Sequence, residues 1–168
     1  ADRASRLVLP DPLVAERVVA ARCELALVGP EHPDDDPVAY LLGVAQLVRM
    51  GESIDPWLAD VADAVGRAAK QAPADWRRAA AFDAADLVLA AAGERRARRD
   101  LVDLRRRCDA TAPRPVTPPS DNAGFVTWVE QGLADPSGRL FPAGFPEPWL
   151  GAGIEAYSLP TGPESAVS

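Results

Sequence analysis

Residues 36–50 have the sequence DPVAYLLGVAQLVRM, and this stretch decides the fold. It opens with an aspartate that can cap a helix and a proline that suits the first helical position. After the proline, Gln46 and Arg49 are the polar residues, and because they lie three positions apart they share one narrow stripe of a helix. A helix that is apolar nearly all round lies at the centre of a protein, surrounded by other helices. The stretch therefore predicts a central helix over residues 37–50.

Similar starts and stops mark the other helices of the first 109 residues. Aspartate–proline pairs at 11–12 and 55–56 provide starts, and glycines at 29, 51 and 93 stand where a left-handed residue ends a helix. The apolar periodicity between these positions predicts the remaining helices, near residues 12–28, 56–71, 74–92 and 94–108. Because the connections are short, neighbouring helices should be antiparallel. The predicted fold class is all-α, a compact bundle of about five helices.

The later part of the chain has a different composition. Seven of the 17 prolines lie in the first 109 residues and ten in the last 59. Residues 111–120 contain four prolines and predict a stiff, polyproline-like linker, whereas residues 124–133 have the spacing of one short helix. We therefore divide the chain into a helical bundle over 1–109 and a Pro-rich linker with an extended, mostly irregular C-terminal arm over 110–168.

The arm carries large aromatic side chains. Phe141, Phe145 and Trp149 lie four residues apart, and the prolines at 142, 146 and 148 forbid a helix between them. A stiff, extended segment loses little entropy on docking and presents such side chains as anchors. We predict that the three aromatics bind a protein partner or the dimer mate in a homodimer. The alternative is that they cover the chain's own bundle.

Arginine is concentrated in the helix predicted at 94–108. Seven arginines and three acids give this segment a local charge of +4, while an apolar seam docks it on the bundle and leaves the arginines outside. Such a surface suits an acidic protein or a phosphate backbone. Arg98, Arg105 and Arg106 are therefore predicted to bind a partner, with a solvated helix face as the alternative.

Aspartates three residues apart recur in the predicted helices. Carboxylates at this spacing share a helix face, and pairs on facing helices can hold Mg²⁺ for phosphate chemistry. Asp83 and Asp86 are the polar residues of an otherwise apolar stretch, which makes them candidate metal ligands. An enzyme of this kind would also need Asp60 or Asp63 to face the same pocket. A narrow solvent-exposed stripe also explains Asp83 and Asp86 and is the favoured interpretation.

Residue counts and motifs argue against several kinds of site. One histidine excludes a site that needs two imidazoles, and two cysteines exclude a disulfide-stapled scaffold. Cys23 and Cys108 fall inside predicted helices and are expected to be small core residues. The sequence contains no glycine-rich phosphate loop and no serine nucleophile elbow, so it predicts no cofactor and no catalytic residue.

The charge and the apolar runs limit the possible partners and location. The net charge of −7 argues against general affinity for nucleic acid or anionic lipid. No apolar run approaches the roughly 20 residues that span a bilayer, and no secretory signal precedes the first helix. We therefore expect no membrane association and a cytoplasmic location.

These observations favour a non-enzymatic interaction protein, such as an accessory protein, an adaptor or an assembly factor. It would dock a partner or its own dimer mate through the C-terminal arm. Two alternatives remain open. One is a small α-bundle enzyme that acts on a phosphorylated small molecule with a divalent metal. The other is a nucleic-acid-binding regulator that uses the arginine-rich helix.

Overall fold

The computed structural model describes residues 5–108, 112–157 and 159, and this part of the chain is mostly helical. Its α-helices are α1 (Pro12–Val28), α2 (Pro37–Arg49), α3 (Leu58–Gln71), α4 (Trp76–Ala91), α5 (Arg95–Cys108) and α6 (Asn122–Leu133). A 3₁₀ turn spans Glu147–Trp149, and the strands are β1 (Arg6–Val8) and β2 (Glu155–Tyr157). The helical fold class predicted from the sequence is confirmed.

Aspartate side chains start four of the six helices. The carboxylates of Asp11, Asp36, Asp75 and Asp121 accept hydrogen bonds from amide groups of the first turns of α1, α2, α4 and α6. Glycines with positive φ follow α1, α2 and α4, at Gly29, Gly51 and Gly93, because glycine adopts the left-handed region without a steric penalty. The starts predicted at Asp11 and Asp36 and the stops predicted at the three glycines are therefore confirmed, whereas α4 and α6 begin two residues after and two residues before their predicted positions.

The start predicted at residues 55–56 is wrong. Residues 54–57 form a turn, and α3 begins at Leu58 after Trp57, whose side chain makes no capping hydrogen bond. The carbonyl of Ile54 accepts hydrogen bonds from the amides of Trp57 and Leu58. Because this turn satisfies the amides at the start of the helix, Asp55 is not needed as a cap.

The helix α2 lies at the centre of the bundle, as predicted. Every residue of α2 except Val48 is buried, and Leu41, Leu42 and Val44 are completely inaccessible. Side chains from α3 and α4, including Val61 and Phe82, pack around them in the main hydrophobic cluster. The polar groups of α2 are consequently held inside the protein.

A second hydrophobic cluster joins α1 to α6. Val18 and Ala21 from α1 pack with Phe125, Val126 and Val129 from α6. The core therefore extends past the Pro-rich linker to include the helix that follows it.

The linker is attached to this second cluster by polar contacts. The guanidinium of Arg114 lies 3.7 Å from the centre of the Trp128 ring, and its Nε donates to the Trp128 carbonyl at 2.7 Å. In return, Trp128 Nε1 donates to the carbonyl of Pro115 at 2.7 Å. Burial lowers the pKa of Arg114 to about 10. These contacts hold residues 112–120 along α6.

The two strands bring distant parts of the chain together. Arg6 lies opposite Tyr157 and Val8 opposite Glu155 in an antiparallel pair. Leu9, which follows β1, is buried in the second cluster. The pair therefore fastens residues 155–157 of the arm beside the start of α1.

Candidate functional site

The acidic residues of α4 lie against arginines of α5. Asp86 accepts two hydrogen bonds from Arg98, from Nε at 2.8 Å and from Nη2 at 3.0 Å. Asp83 Oδ1 lies 2.6 Å from Nη2 of Arg105. The predicted metal ligands and two of the predicted partner-binding arginines therefore form one cluster. Arg98 and Arg105 face α4 because its half-buried carboxylates attract them, so they do not project outside the bundle.

Burial affects the protonation of this cluster. Desolvation raises the pKa of Asp83, and the charge and hydrogen bond of Arg105 act in the opposite direction. The hydrogen bond to Asp86 raises the pKa of Arg98. Arg105 therefore offsets part of the desolvation of Asp83, whose pKa remains above its ordinary value.

Arg106, the third predicted partner-binding arginine of α5, points away from this cluster. Its side chain is 77% exposed, and Nη1 lies 3.4 Å from a carboxylate oxygen of Asp103 on the same helix. An exposed ion pair of this kind contributes little to stability.

The structure does not bring together the acidic residues that the metal-dependent alternative requires. Asp60 and Asp63 lie on the exposed side of α3, whereas Asp83 and Asp86 pair with arginines. Within the described ranges, no group of three or more His, Cys, Asp and Glu residues is arranged to hold a metal ion. The carboxylates of α4 thus have an observed partner in α5.

The α4–α5 ion pairs line a half-open cleft of about 510 Å³. Small side chains of α2 and α4 form its apolar walls, and the turn after α6 contributes Pro136 and Ser137. Its charged and amide side chains are Gln46, Arg49, Asp83, Asp86, Arg98, Arg105, Glu130 and Gln131. The cleft is large enough for a small organic ligand, and we refer to it as the α4–α5 cleft.

A buried carboxylate network adjoins the α4–α5 cleft. Glu130 is 1% exposed and accepts hydrogen bonds from Arg22 at 3.0 Å, from Gln46 Nε2 at 2.7 Å and from Arg49. Burial lowers the pKa of Arg49, and the charge of Glu130 counteracts this effect. Two guanidinium groups and one amide therefore converge on one carboxylate.

Gln46 has a second polar atom in the same region. Its Nε2 donates to Glu130, but in the described part of the chain its buried Oε1 has no hydrogen-bond partner. Gln131, another residue of the cleft wall, accepts a hydrogen bond from Trp76 Nε1 at 2.7 Å. Gln46 thus provides an unused acceptor at a site that is otherwise hydrogen-bonded.

Sequence reasoning identified only part of this site. The polar stripe of Gln46 and Arg49 on an apolar helix was a usable signal, because buried polar groups need partners. Their partner Glu130 was missed, since its helix was assigned to the arm. No local pattern at residue 130 distinguishes it from an exposed glutamate.

The three aromatics of the arm have different environments. Phe141 and Trp149 pack against the second cluster, whereas Phe145 is 43% exposed and lies edge-on to Phe141 with ring centres 4.8 Å apart. Phe141 has a φ of 47°, which is uncommon for a bulky residue, and its amide donates to the Leu133 carbonyl at 2.8 Å. Of the three predicted anchors, Phe145 thus has the most solvent-exposed surface.

The outward side of α1 is unusually apolar. Leu13, Val19 and Leu27 are 76%, 62% and 86% exposed, although the opposite side of the same helix is buried in the second cluster. Ala20 and Cys23 are also exposed and lie on the same side at helical spacing, and the exposed, charged Glu16 lies among them. We call the surface formed by these six residues the α1 face.

The expectation that Cys23 is a core residue is wrong. Cys23 is exposed, and Cys108 is half-buried beside the main cluster. α1 is apolar on both sides, so hydrophobicity alone did not indicate which side faces inward.

None of the helices in the described ranges has the length and apolar character needed to cross a membrane. In comparisons with known proteins, no family model, curated protein or solved structure matched this chain.

Proposed function

We propose that this protein is a non-enzymatic interaction protein that associates with a second copy of itself through the α1 face. The observation that carries this proposal is the exposure of Leu13, Val19 and Leu27 along one side of a single helix. Contiguous apolar surface on a folded protein is typical of an interaction site.

The composition of the α1 face favours a second copy as the occupant. Five of its six residues are apolar, and Glu16 is its one charged residue. In a twofold dimer the same patch contacts itself, and a predominantly apolar helix side is compatible with that symmetry.

The apolar surface is sufficient for a weak dimer. Two copies would bury six large apolar side chains of the α1 face, and each contributes roughly 1.5–3 kcal/mol when fully buried. Together they contribute on the order of 10 kcal/mol or somewhat more, and association costs roughly 4–15 kcal/mol. The surplus is a few kcal/mol, so we expect a dissociation constant in the micromolar to millimolar range.

In this proposal the arm extends the contact through Phe145. Phe141 and Trp149 hold the arm on the second cluster, to which α1 also belongs, and Phe145 remains half-exposed. Arg98 and Arg105 have no part in the interface, because carboxylates of α4 engage them.

Sedimentation velocity over a range of protein concentrations tests the α1 face. We expect the wild type to dimerise and Val19→Glu to remain monomeric, because the new carboxylate would be desolvated in the interface. Val116→Glu is the matched control, since Val116 is 95% exposed in the linker, and it should dimerise like the wild type. Circular dichroism establishes that each variant is folded.

The proposal is wrong if the wild type is monomeric throughout, if Val19→Glu dimerises normally, or if the control also dissociates. The arm is tested separately with Phe145→Ala. We expect about tenfold weaker dimerisation, in line with the loss of an aromatic contact. An unchanged dissociation constant would remove the arm from the interface.

A further inference from the structure

We propose that the α4–α5 cleft binds a zwitterionic small molecule that carries an ammonium group and a carboxylate on one apolar skeleton. Its ammonium would face Asp83 and Asp86 on α4, and its carboxylate would face Arg98 and Arg105 on α5. This site is separate from the α1 face and does not depend on dimerisation.

The arrangement of charges in the cleft selects this class of ligand. The carboxylates on α4 are ion-paired with the guanidiniums on α5, so each pair presents a negative and a positive group side by side at the cleft. Asp83 and Arg105 retain 24% and 33% exposure of their side chains, which leaves surface for a ligand to contact. A molecule with both charges can interact with both groups at once.

A ligand with a single charge fits this cleft less well. The lining contains three arginines and three carboxylates, namely Arg49, Arg98, Arg105, Asp83, Asp86 and Glu130. An anion such as a phosphate would gain from the arginines but would be desolvated beside the carboxylates, and a simple cation would meet the converse problem. A ligand with no net charge avoids both penalties.

Gln46 provides a second, independent observation that points to a polar ligand. It is 2% exposed and lines the cleft, and its Oε1 has no hydrogen-bond donor among the described residues. A buried acceptor without a donor is unfavourable, so a native site normally supplies one. An ammonium or amide group of a ligand, directly or through a water molecule, would meet this requirement.

The apolar walls indicate the kind of skeleton. Four alanines of α2 and α4 line the cleft, and their small side chains leave an apolar surface with space above it. They are Ala45, Ala80, Ala84 and Ala90. A ring or a branched alkyl group can pack against such a surface while the charged end reaches the ion pairs.

Three matched probes test the ligand class on the full-length protein. Phenylalanine has both charges, phenethylamine lacks the carboxylate, and 3-phenylpropionate lacks the ammonium group. In titrations followed by NMR or calorimetry, we expect phenylalanine to bind at least tenfold more tightly than either analogue. The proposal is overturned if none of the three binds, or if one of the singly charged probes binds as tightly as phenylalanine.

Matched variants test the location. Asp83→Asn, which preserves side-chain shape, and Arg105→Gln, which replaces the guanidinium by a shorter neutral amide, should each weaken phenylalanine binding at least tenfold. The controls Asp103→Asn and Arg106→Gln remove the same charges from the exposed pair on α5 and should leave binding unchanged. If either cleft variant fails to fold, the double variant Asp83→Asn/Arg105→Gln replaces it, because removal of both partners leaves no unpaired charge. The proposed location is contradicted if the cleft variants bind phenylalanine as tightly as the wild type does, or if the controls lose as much affinity as the cleft variants.

Discussion

Gln46 on α2 donates a hydrogen bond to Glu130 on α6 at 2.7 Å, across 84 positions of the sequence. The same carboxylate accepts hydrogen bonds from Arg22 of α1 and Arg49 of α2. One buried side chain therefore joins the first, the central and the last helix of the described chain. This arrangement has a direct consequence for stability.

Replacement of Glu130 should be strongly destabilising. Glu130→Gln keeps the shape of the side chain but leaves the guanidiniums of Arg22 and Arg49 without their shared counter-ion, and we expect a loss of about 3–5 kcal/mol in the free energy of unfolding. Urea denaturation followed by circular dichroism measures this loss. Asp103→Asn, which removes the carboxylate of an exposed pair, should cost at most about 1 kcal/mol. Equal losses in the two variants would contradict the role assigned to Glu130.

Substitution by alanine should have opposite effects on stability at two helical glycines. A Cβ at Gly43 would lie 2.8 Å from Cβ and 3.2 Å from Cα of Pro30, so Gly43→Ala must displace backbone and should destabilise the protein by about 1–3 kcal/mol. A Cβ at Gly66 in α3 would meet nothing within 4 Å, and Gly66→Ala should stabilise the protein by about 0.5–1 kcal/mol. Thermal and urea unfolding of the two variants compare the effects. A stabilised Gly43→Ala would show that α2 and Pro30 are not in close contact.

The stability contributions of Asp83 and Asp135 should depend on pH in opposite directions. Burial raises the pKa of Asp83, so its contribution is complete below the ordinary value of 3.8 and is lost as the pH rises through the raised value. Hydrogen bonding from Ser137 lowers the pKa of Asp135. The contribution of Asp135 to stability is therefore present above the ordinary value of 3.8 and is lost as the pH falls through the lowered value.

Unfolding measurements from about pH 3 to about pH 6 separate these two effects. The stability of the wild type relative to Asp83→Asn should decrease as the pH rises, whereas its stability relative to Asp135→Asn should increase. Changes of the same sign for both variants would refute the assigned environments.

Cys23 offers a chemical test of the proposed dimer. It lies on the exposed α1 face, so a short bis-maleimide should link two copies in which the two α1 helices pack together. The expected product is a covalent dimer on a denaturing gel, abolished by Cys23→Ala and retained in Cys108→Ala. Val19→Glu should reduce cross-linking in parallel with dimerisation. Cross-linking that survives this substitution would indicate random collision.

The helices could be predicted because their signals are local. Asp36 and the apolar run after it define α2 within fifteen residues, and the glycine at 51 ends it. The residues that cap a helix, set its apolar periodicity and end it lie within or next to that helix. A local stretch of sequence is therefore enough to predict it.

The candidate site depended on relations that are not local. The partner of Gln46 lies in a helix that the sequence alone assigned to a separate arm. Asp83 and Arg105 were predicted to bind a metal and a partner protein, but they pair with each other because α4 and α5 pack side by side. The apolar periodicity of α1 includes the buried Val18, Ala21 and Leu25, but it also includes Leu13, which is 76% exposed, because apolar residues on both sides of the helix weaken its amphipathic pattern. In each case the missing information was the identity of the packing neighbour.

The pairing of β1 with β2 affects how the protein is made. The ribosome releases β1 and α1 before their packing partners α6 and β2, which lie far along the chain. Until α6 emerges, the side of α1 that later packs on it has nothing from α6 to cover it. The second cluster can therefore close only after the intervening helices have been synthesised, and α1 keeps apolar surface exposed for that time.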